Sequence, residues 1–106
     1  MSYQALATLL KVLSDPSRLE ILDLISCGEL CACDLLTHFQ FSQPTLSHHM
    51  KALVDSDLVI TRKEGNKHMY QLNYETFELV KQNLNMISTS DQRCICNNLT
   101  SGACSS

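Results

Sequence analysis

The chain has 106 residues, 44% of them hydrophobic, and carries a formal net charge of -3. This size predicts a single domain, the apolar content excludes wholesale disorder, and no apolar run approaches the roughly 20 residues of a membrane helix. The first residues lack the basic flank and apolar stretch of a signal peptide, so we expect a cytoplasmic protein with no membrane partner. In that compartment the six cysteines are expected to be reduced, which favours metal binding or redox chemistry over disulfides.

Apolar spacing in the first half of the chain predicts four helices. The predicted ranges are 3–13, 16–28, 31–39 and 43–55. Asp15 before Pro16 is a cap residue followed by proline at the first helical position, and Ser42 provides a cap for the fourth helix. In the fourth helix Leu46 and Met50 share one face, which we expect to be buried.

The second half of the chain has the pattern of a β-hairpin followed by a last helix. β-branched and aromatic residues at 58–63 and 67–72 flank a glycine turn, and an apolar stripe spans 74–87. We therefore expect residues 1–90 to form a mainly α winged helix-turn-helix domain with a β-hairpin. Residues 91–106 are expected to form a flexible tail that contains cysteines.

The fourth helix and the hairpin carry side chains suited to DNA. The net charge argues mildly against a nucleic-acid binder, but the acidic residues gather away from this basic edge. The candidate DNA contacts are Gln43, Thr45, Ser47, His48 and Lys51 in the helix and Arg62, Lys63 and Lys67 in the hairpin. His49 lies nearer the buried side, and we interpret it as a hydrogen-bonded structural residue.

Cys31 and Cys33 are the candidate ligands for a thiophilic ion, because such ions prefer thiolates. Two side chains at i and i+2 of a regular α-helix point about 200° apart, so they cannot grip one small ion there. Either the pair lies at an unwound helix start, or ion binding must unwind the helix. The competing interpretation is that both cysteines are small buried core residues.

Three segments of the chain together resemble the ArsR family of metalloregulatory repressors. They are DPSRLEIL at 15–22, ELCACDL at 29–35 and SQPTLSHH at 42–49. Within this family the chain is similar to the repressors of bacterial arsenical-resistance operons. The resemblance implies a repressor without a permanent cofactor, which leaves its operator DNA when arsenic(III) or antimony(III) binds Cys31 and Cys33.

The sequence does not identify the third ligand of a bound arsenic(III). Some members of the family have a third cysteine three residues beyond the pair, where this chain has Leu36. Cys27, a tail cysteine, a small cellular thiol or a water-derived oxygen could complete the shell. The tail cysteines Cys94, Cys96 and Cys104 either form a second soft-ion site or have no regulatory role. Residues 74–87 contain no histidine, so a zinc site like that of the zinc-sensing members is not expected.

The apolar stripe of the last helix and the leucines of the first helix exceed what a small core needs and predict a homodimer. The candidate interface residues are Leu6, Leu10, Phe77, Val80 and Leu84. A two-fold symmetric dimer would present two reading helices to a palindromic operator.

Two other functions remain open from the sequence. A cadmium- or lead-responsive repressor of the same family could use the same pair, although such relatives add cysteines near the N-terminus and this chain has none before Cys27. A thiol-dependent arsenate-reducing enzyme is the other. The chain has neither a phosphate-cradling loop nor a Cys-x-x-Cys pair, so we expect no enzyme.

Overall fold

In the computed structural model, which describes residues 1–88, five helices and three short strands follow one another along the chain. The elements are α1 (Tyr3–Leu13), α2 (Pro16–Ile25), β1 (Leu30–Cys31), α3 (Ala32–His38), α4 (Gln43–Asp55), β2 (Val59–Glu64), β3 (Lys67–Leu72) and α5 (Tyr74–Ser88). Helices α3 and α4 form the helix-turn-helix, and β2 and β3 form the wing. The predicted winged helix-turn-helix is therefore confirmed. The predicted tail, residues 91–106, lies outside the described residues, and so does the domain boundary predicted at residue 90.

The helices begin where their cap residues stand in the sequence. The Asp15 carboxylate accepts from the backbone N–H groups of Ser17 (2.9 Å) and Arg18 (3.2 Å), and Ser42 Oγ accepts from the backbone N–H of Thr45 (3.3 Å). One predicted end differs, because α2 stops at Ile25 instead of near Gly28. None of the helices in residues 1–88 is long and apolar enough to cross a membrane.

The sheet contains one strand that the sequence does not predict. Strand β1 has two residues and pairs antiparallel with β3, which makes the strand order β1-β3-β2. Two residues are too few to show the alternation by which a strand is recognised. Strand β1 leads directly into α3, the helix that supports α4. The start of α3 is therefore attached to the wing through β1.

The core lies where α2, α3 and α4 meet the wing. Its fully buried members are Ile21, Ile25, Leu35, Met50, Leu53 and Leu58. Leu46 and Met50 are each 2% exposed, so the predicted inward face of α4 is confirmed. The opposite face of α4 is left to solvent.

A tight corner joins α4 to the wing. Asp57 adopts a positive φ of 62°, its N–H donates to the carbonyl of Val54 (3.0 Å), and the N–H of Leu58 donates to the carbonyl of Leu53 (3.1 Å). This pair of bonds is the Schellman arrangement, which is accompanied by an apolar contact between the residues at its two ends. Here those residues, Leu53 and Leu58, are both 0% exposed.

Candidate functional site

The structure places Cys31 and Cys33 at the start of α3. Cys31 is the N-cap residue, with φ -87° and ψ 165°, and Cys33 lies in the first turn. The two Cα atoms lie 5.3 Å apart, and because Cys31 has extended backbone dihedrals its side chain turns out of the helical direction and meets that of Cys33. Of the two alternatives open from the sequence, the unwound helix start is the one observed.

The two sulfurs are joined in a disulfide, which differs from the expectation that all six cysteines are reduced. The cap geometry explains the difference, since the extended backbone of Cys31 directs its side chain toward Cys33 at a Cα distance over which a disulfide closes. Cys31 is 4% exposed and Cys33 is exposed, so one sulfur is reached from solvent. Cys27 is an exposed free thiol, and the other three cysteines lie outside the described residues.

Asp34 completes the group around the two sulfurs. Its carboxylate accepts from the backbone N–H of Cys31 (3.1 Å), and its own N–H donates to Cys31 Sγ (3.3 Å), which makes a capping box. Asp34 Oδ2 also lies 3.2 Å from Cys31 Sγ, where a reduced thiol would have a proton to donate. The ligand atoms of Cys31, Cys33 and Asp34 all lie within 4.8 Å of one another, so the three could hold a metal ion. We did not predict Asp34, although the i,i+3 spacing of a capping box signals it.

The thiol pair faces the wing across a cleft of about 540 Å³. On one side the cleft is lined by Cys31, Cys33 and Asp34, and on the other by wing residues that include Lys67 and Met69. The sensor candidate and one of the DNA-contact candidates therefore lie in the same depression.

All five DNA-contact candidates of α4 are on its exposed face. Lys51 Nζ lies 3.1 Å from the carboxylate of Asp55, one turn further along the same face. A groove of about 380 Å³ separates α4 from the wing, and it is lined by Gln43, Ser47 and Lys51 from the helix. From the wing it is lined by His68, an exposed residue that sequence reasoning did not single out.

His49 has the structural role that we predicted from its position. Arg18 donates its Nε–H to His49 Nδ1 (3.2 Å) and an Nη1–H to the carbonyl of Val12 (3.4 Å). A single guanidinium thus connects α1, α2 and α4. His49 lies between the exposed and buried faces of α4.

The three wing cations differ in their surroundings. Arg62 donates to both carboxylate oxygens of Glu29, through Nε (2.8 Å) and Nη2 (2.6 Å), and also to Glu64 (3.0 Å). The hydrogen bonds from Arg62 hold the pKa of the Glu29 carboxyl below its usual value. The hydrogen bonds to Glu29 and Glu64 in turn raise the pKa of the Arg62 guanidinium. Lys63 and Lys67 are exposed and have no ion pair within residues 1–88. Lys63 and Lys67 are therefore better placed than Arg62 to meet phosphate.

The dimer candidates divide into buried and accessible residues. Leu6 is 4% exposed and Val80 is 3% exposed, Leu10 and Phe77 are half-buried, and Leu84 is 41% exposed. With the first two buried within one chain, the exposed apolar side chains of α5 include Leu79 (43%), Leu84 and Ile87 (58%). The homodimer interface stays a prediction.

A supporting helix, a helix with a polar outer face and a two-stranded wing define a winged helix-turn-helix DNA-binding protein. The family model of bacterial regulatory proteins of the arsR family matches residues 15–61. Over 104 residues the chain is 74% identical to the arsenical resistance operon repressor of Staphylococcus xylosus, which covers 98% of this chain and 100% of that protein. The chain belongs to the ArsR family, whose members are DNA-binding transcriptional regulators.

Solved structures of similar proteins have the same fold. An ArsR-like transcriptional regulator from Rhodococcus sp. RHA1 is 28% identical, with a TM-score of 0.73 over 81% of each chain. A homodimeric winged helix-turn-helix DNA-binding domain from Mycobacterium bovis is 27% identical, with a TM-score of 0.66 over 80% of each chain.

Proposed function

We propose that this protein represses an arsenical-resistance operon in the cytoplasm, binds a palindromic operator as a homodimer, and leaves it when arsenic(III) or antimony(III) binds Cys31 and Cys33. The observation that carries the proposal is the position of Cys31, which is at once a candidate ligand, the cap of α3 and a residue of the wing's sheet. The identity of 74% to a repressor of this kind supports it.

Soft thiolate donors are the chemical basis of the proposed sensor. The pair must first be reduced, since a disulfide sulfur has no proton to lose: two small cellular thiols supply the two electrons and two protons and are themselves joined in a disulfide. Each thiol then gives its proton to a hydroxide of arsenous acid, which departs as water, and the sulfur takes its place on arsenic. Asp34 lies within reach of the same position as a hard oxygen donor or as an acceptor for a remaining hydroxyl. A third ligand from Asp34, a further thiol or water is compatible with this arrangement.

Ligand binding at Cys31 acts directly on the start of α3. Cys31 Sγ accepts the backbone N–H of Asp34, so a sulfur that turns toward arsenic releases this first-turn donor. Helix α3 packs on α4 through Leu35, which is 0% exposed. A change at the start of α3 therefore reaches the helix that we propose to read the operator.

The DNA-binding surface in this proposal consists of the outer face of α4 and the wing tip. Gln43, Thr45, Ser47, His48 and Lys51 supply polar and basic groups for base edges and phosphates, and Lys63 and Lys67 supply charge at the wing. The net charge of -3 predicts weak non-specific binding and a strong dependence on this one basic edge.

Substitution of the two cysteines tests the proposal. Cys31→Ser and Cys33→Ser should each keep operator binding, because serine is a good N-cap residue and both changes are small. Each should abolish release by arsenite, since a serine oxygen is a poor ligand for a soft ion. Cys27→Ser is the comparison variant at an exposed free thiol outside the pair: it should keep release by arsenite, and a loss there would identify Cys27 as the third ligand.

The assay is fluorescence anisotropy of a labelled duplex that the reduced wild-type protein has selected from random-sequence DNA, titrated with sodium arsenite. Release by arsenite that persists in both serine variants would refute the assignment of the ligands. A parallel titration with cadmium distinguishes an arsenite-responsive repressor, which cadmium should not release from the duplex, from a cadmium- or lead-responsive one.

A further inference from the structure

One ion pair connects the strand that carries Cys31 to the wing. Glu29 immediately precedes β1, and both of its carboxylate oxygens accept from Arg62 in β2, at 2.8 and 2.6 Å. The two residues are 33 positions apart in sequence, so the pair is a tertiary contact. Glu29 is 25% exposed and Arg62 is 51% exposed. A bidentate carboxylate–guanidinium pair fixes orientation as well as distance.

The register of the sheet places the sensor residue in line with the same arginine. Cys31 is paired with Met69 of β3, and Met69 is paired with Arg62 of β2. Cys31, Met69 and Arg62 thus form one row across the three strands. This row of paired residues attaches the wing to the thiol pair. The ion pair of Arg62 with Glu29, the residue just before β1, is a second attachment.

We propose that Glu29 is a positioning residue that transmits ligand binding at the thiol pair to the wing through Arg62. This inference rests on the proposed function and adds a second route to it, which leads to the wing and does not pass through the α3–α4 contact. Movement of Cys31 toward a ligand shifts β1, and β1 carries Glu29. Arg62 follows the carboxylate, and the neighbouring Lys63 and the turn before Lys67 move with the strand.

The contact between α3 and the rest of the body offers a matched control. His38 Nε2 and Glu20 Oε2 lie 3.4 Å apart and join the far end of α3 to α2. Glu20→Gln therefore removes one glutamate charge and one side-chain contact of α3, but leaves the connection between Glu29 and the wing untouched.

The experiment measures the coupling ratio, which is the operator dissociation constant with saturating arsenite divided by that without it. It uses the full reduced chain and the selected duplex described above. Glu29→Gln should leave operator affinity without arsenite within about threefold of wild type, because an exposed ion pair contributes little to the folded state. It should lower the coupling ratio roughly tenfold, within the range of measured coupling between sites. Glu20→Gln should keep the wild-type ratio.

Two further measurements separate a transmitting role from other roles. Arsenite binding to Glu29→Gln without DNA, followed by the ultraviolet absorption of the arsenic–sulfur bonds, should match wild type. Arg62→Gln should lower the coupling ratio as Glu29→Gln does, and the double variant should lose no more than either single one. A wild-type ratio in Glu29→Gln, weakened arsenite binding, or fully additive losses would each overturn the inference. If the wild-type protein itself selects no duplex or ignores arsenite, the proposed function fails instead.

Discussion

The two ends of α3 are held by different kinds of contact. From its middle to its C-cap the helix is held by Leu35 and Phe39, which are 0% and 8% exposed and belong to the core shared with α4. At the N-terminal end Cys31 is in a two-residue strand, and the preceding Glu29 forms an ion pair with an exposed arginine. Burial of a large apolar side chain contributes far more to stability than an exposed ion pair does.

This difference explains how a small ligand could change the protein without unfolding it. The capping hydrogen bonds and the ion pair at the start of α3 can rearrange at little cost in free energy, while the buried Leu35 and Phe39 keep the helix in place. The consecutive residues Asp34 and Leu35 represent the two kinds of contact within one turn of the same helix.

The largest expected effect is at the buried residue Leu35 in the middle of α3. Leu35→Ala should lower the free energy of unfolding by ~2–5 kcal/mol, because it removes a fully buried side chain and leaves a cavity. Urea denaturation followed by circular dichroism measures the loss. Thr37→Ala, an exposed change two residues further on, should stay within about 0.5 kcal/mol of wild type. Equal losses in the two variants would show that α3 is not anchored by its core contact.

An intermediate effect is expected where α4 meets DNA. His48→Ala and Lys51→Ala should each weaken operator binding by ~1–3 kcal/mol, since both side chains are on the exposed face. Neither should alter arsenite binding, because neither residue lines the cleft of the thiol pair. Anisotropy at matched salt gives the affinities, and Lys81→Ala in α5 removes the same charge away from this face. Wild-type affinity in both variants would place the DNA on another surface.

The smallest effect is expected at the capped end. Asp34→Ala removes the carboxylate that accepts the backbone N–H of Cys31 and should cost ~0.5–1 kcal/mol of stability at neutral pH. Comparison with Leu35→Ala in the same denaturation series tests the asymmetry of the helix directly. If Asp34→Ala were as damaging as Leu35→Ala, the start of α3 would be as strongly held as its buried part, and the proposed mechanism would lose its basis.

The elements that sequence reasoning located have local causes. The starts of α2 and α4 follow from Asp15 and Ser42, whose side chains bond to their own first turns. What it missed depends on residues that are distant in sequence. Strand β1 exists only because β3 lies beside it, and the ion pair of Arg62 with Glu29 joins residues 33 positions apart; the DNA contact of Arg62 stays a prediction. For Cys31 and Cys33 the sequence defined two alternatives, and the backbone dihedrals of Cys31 distinguish them.

The corner between α4 and β2 has a consequence for how the operator would be read. Two backbone hydrogen bonds, to Leu53 and Val54, close this corner, and its apolar ends, Leu53 and Leu58, are excluded from water. Such a corner has little freedom to bend, so we expect α4 and the wing to rotate together as one rigid body. A displacement applied at the wing would therefore also tilt the helix in its groove, and the protein would lose both sets of DNA contacts in a single step.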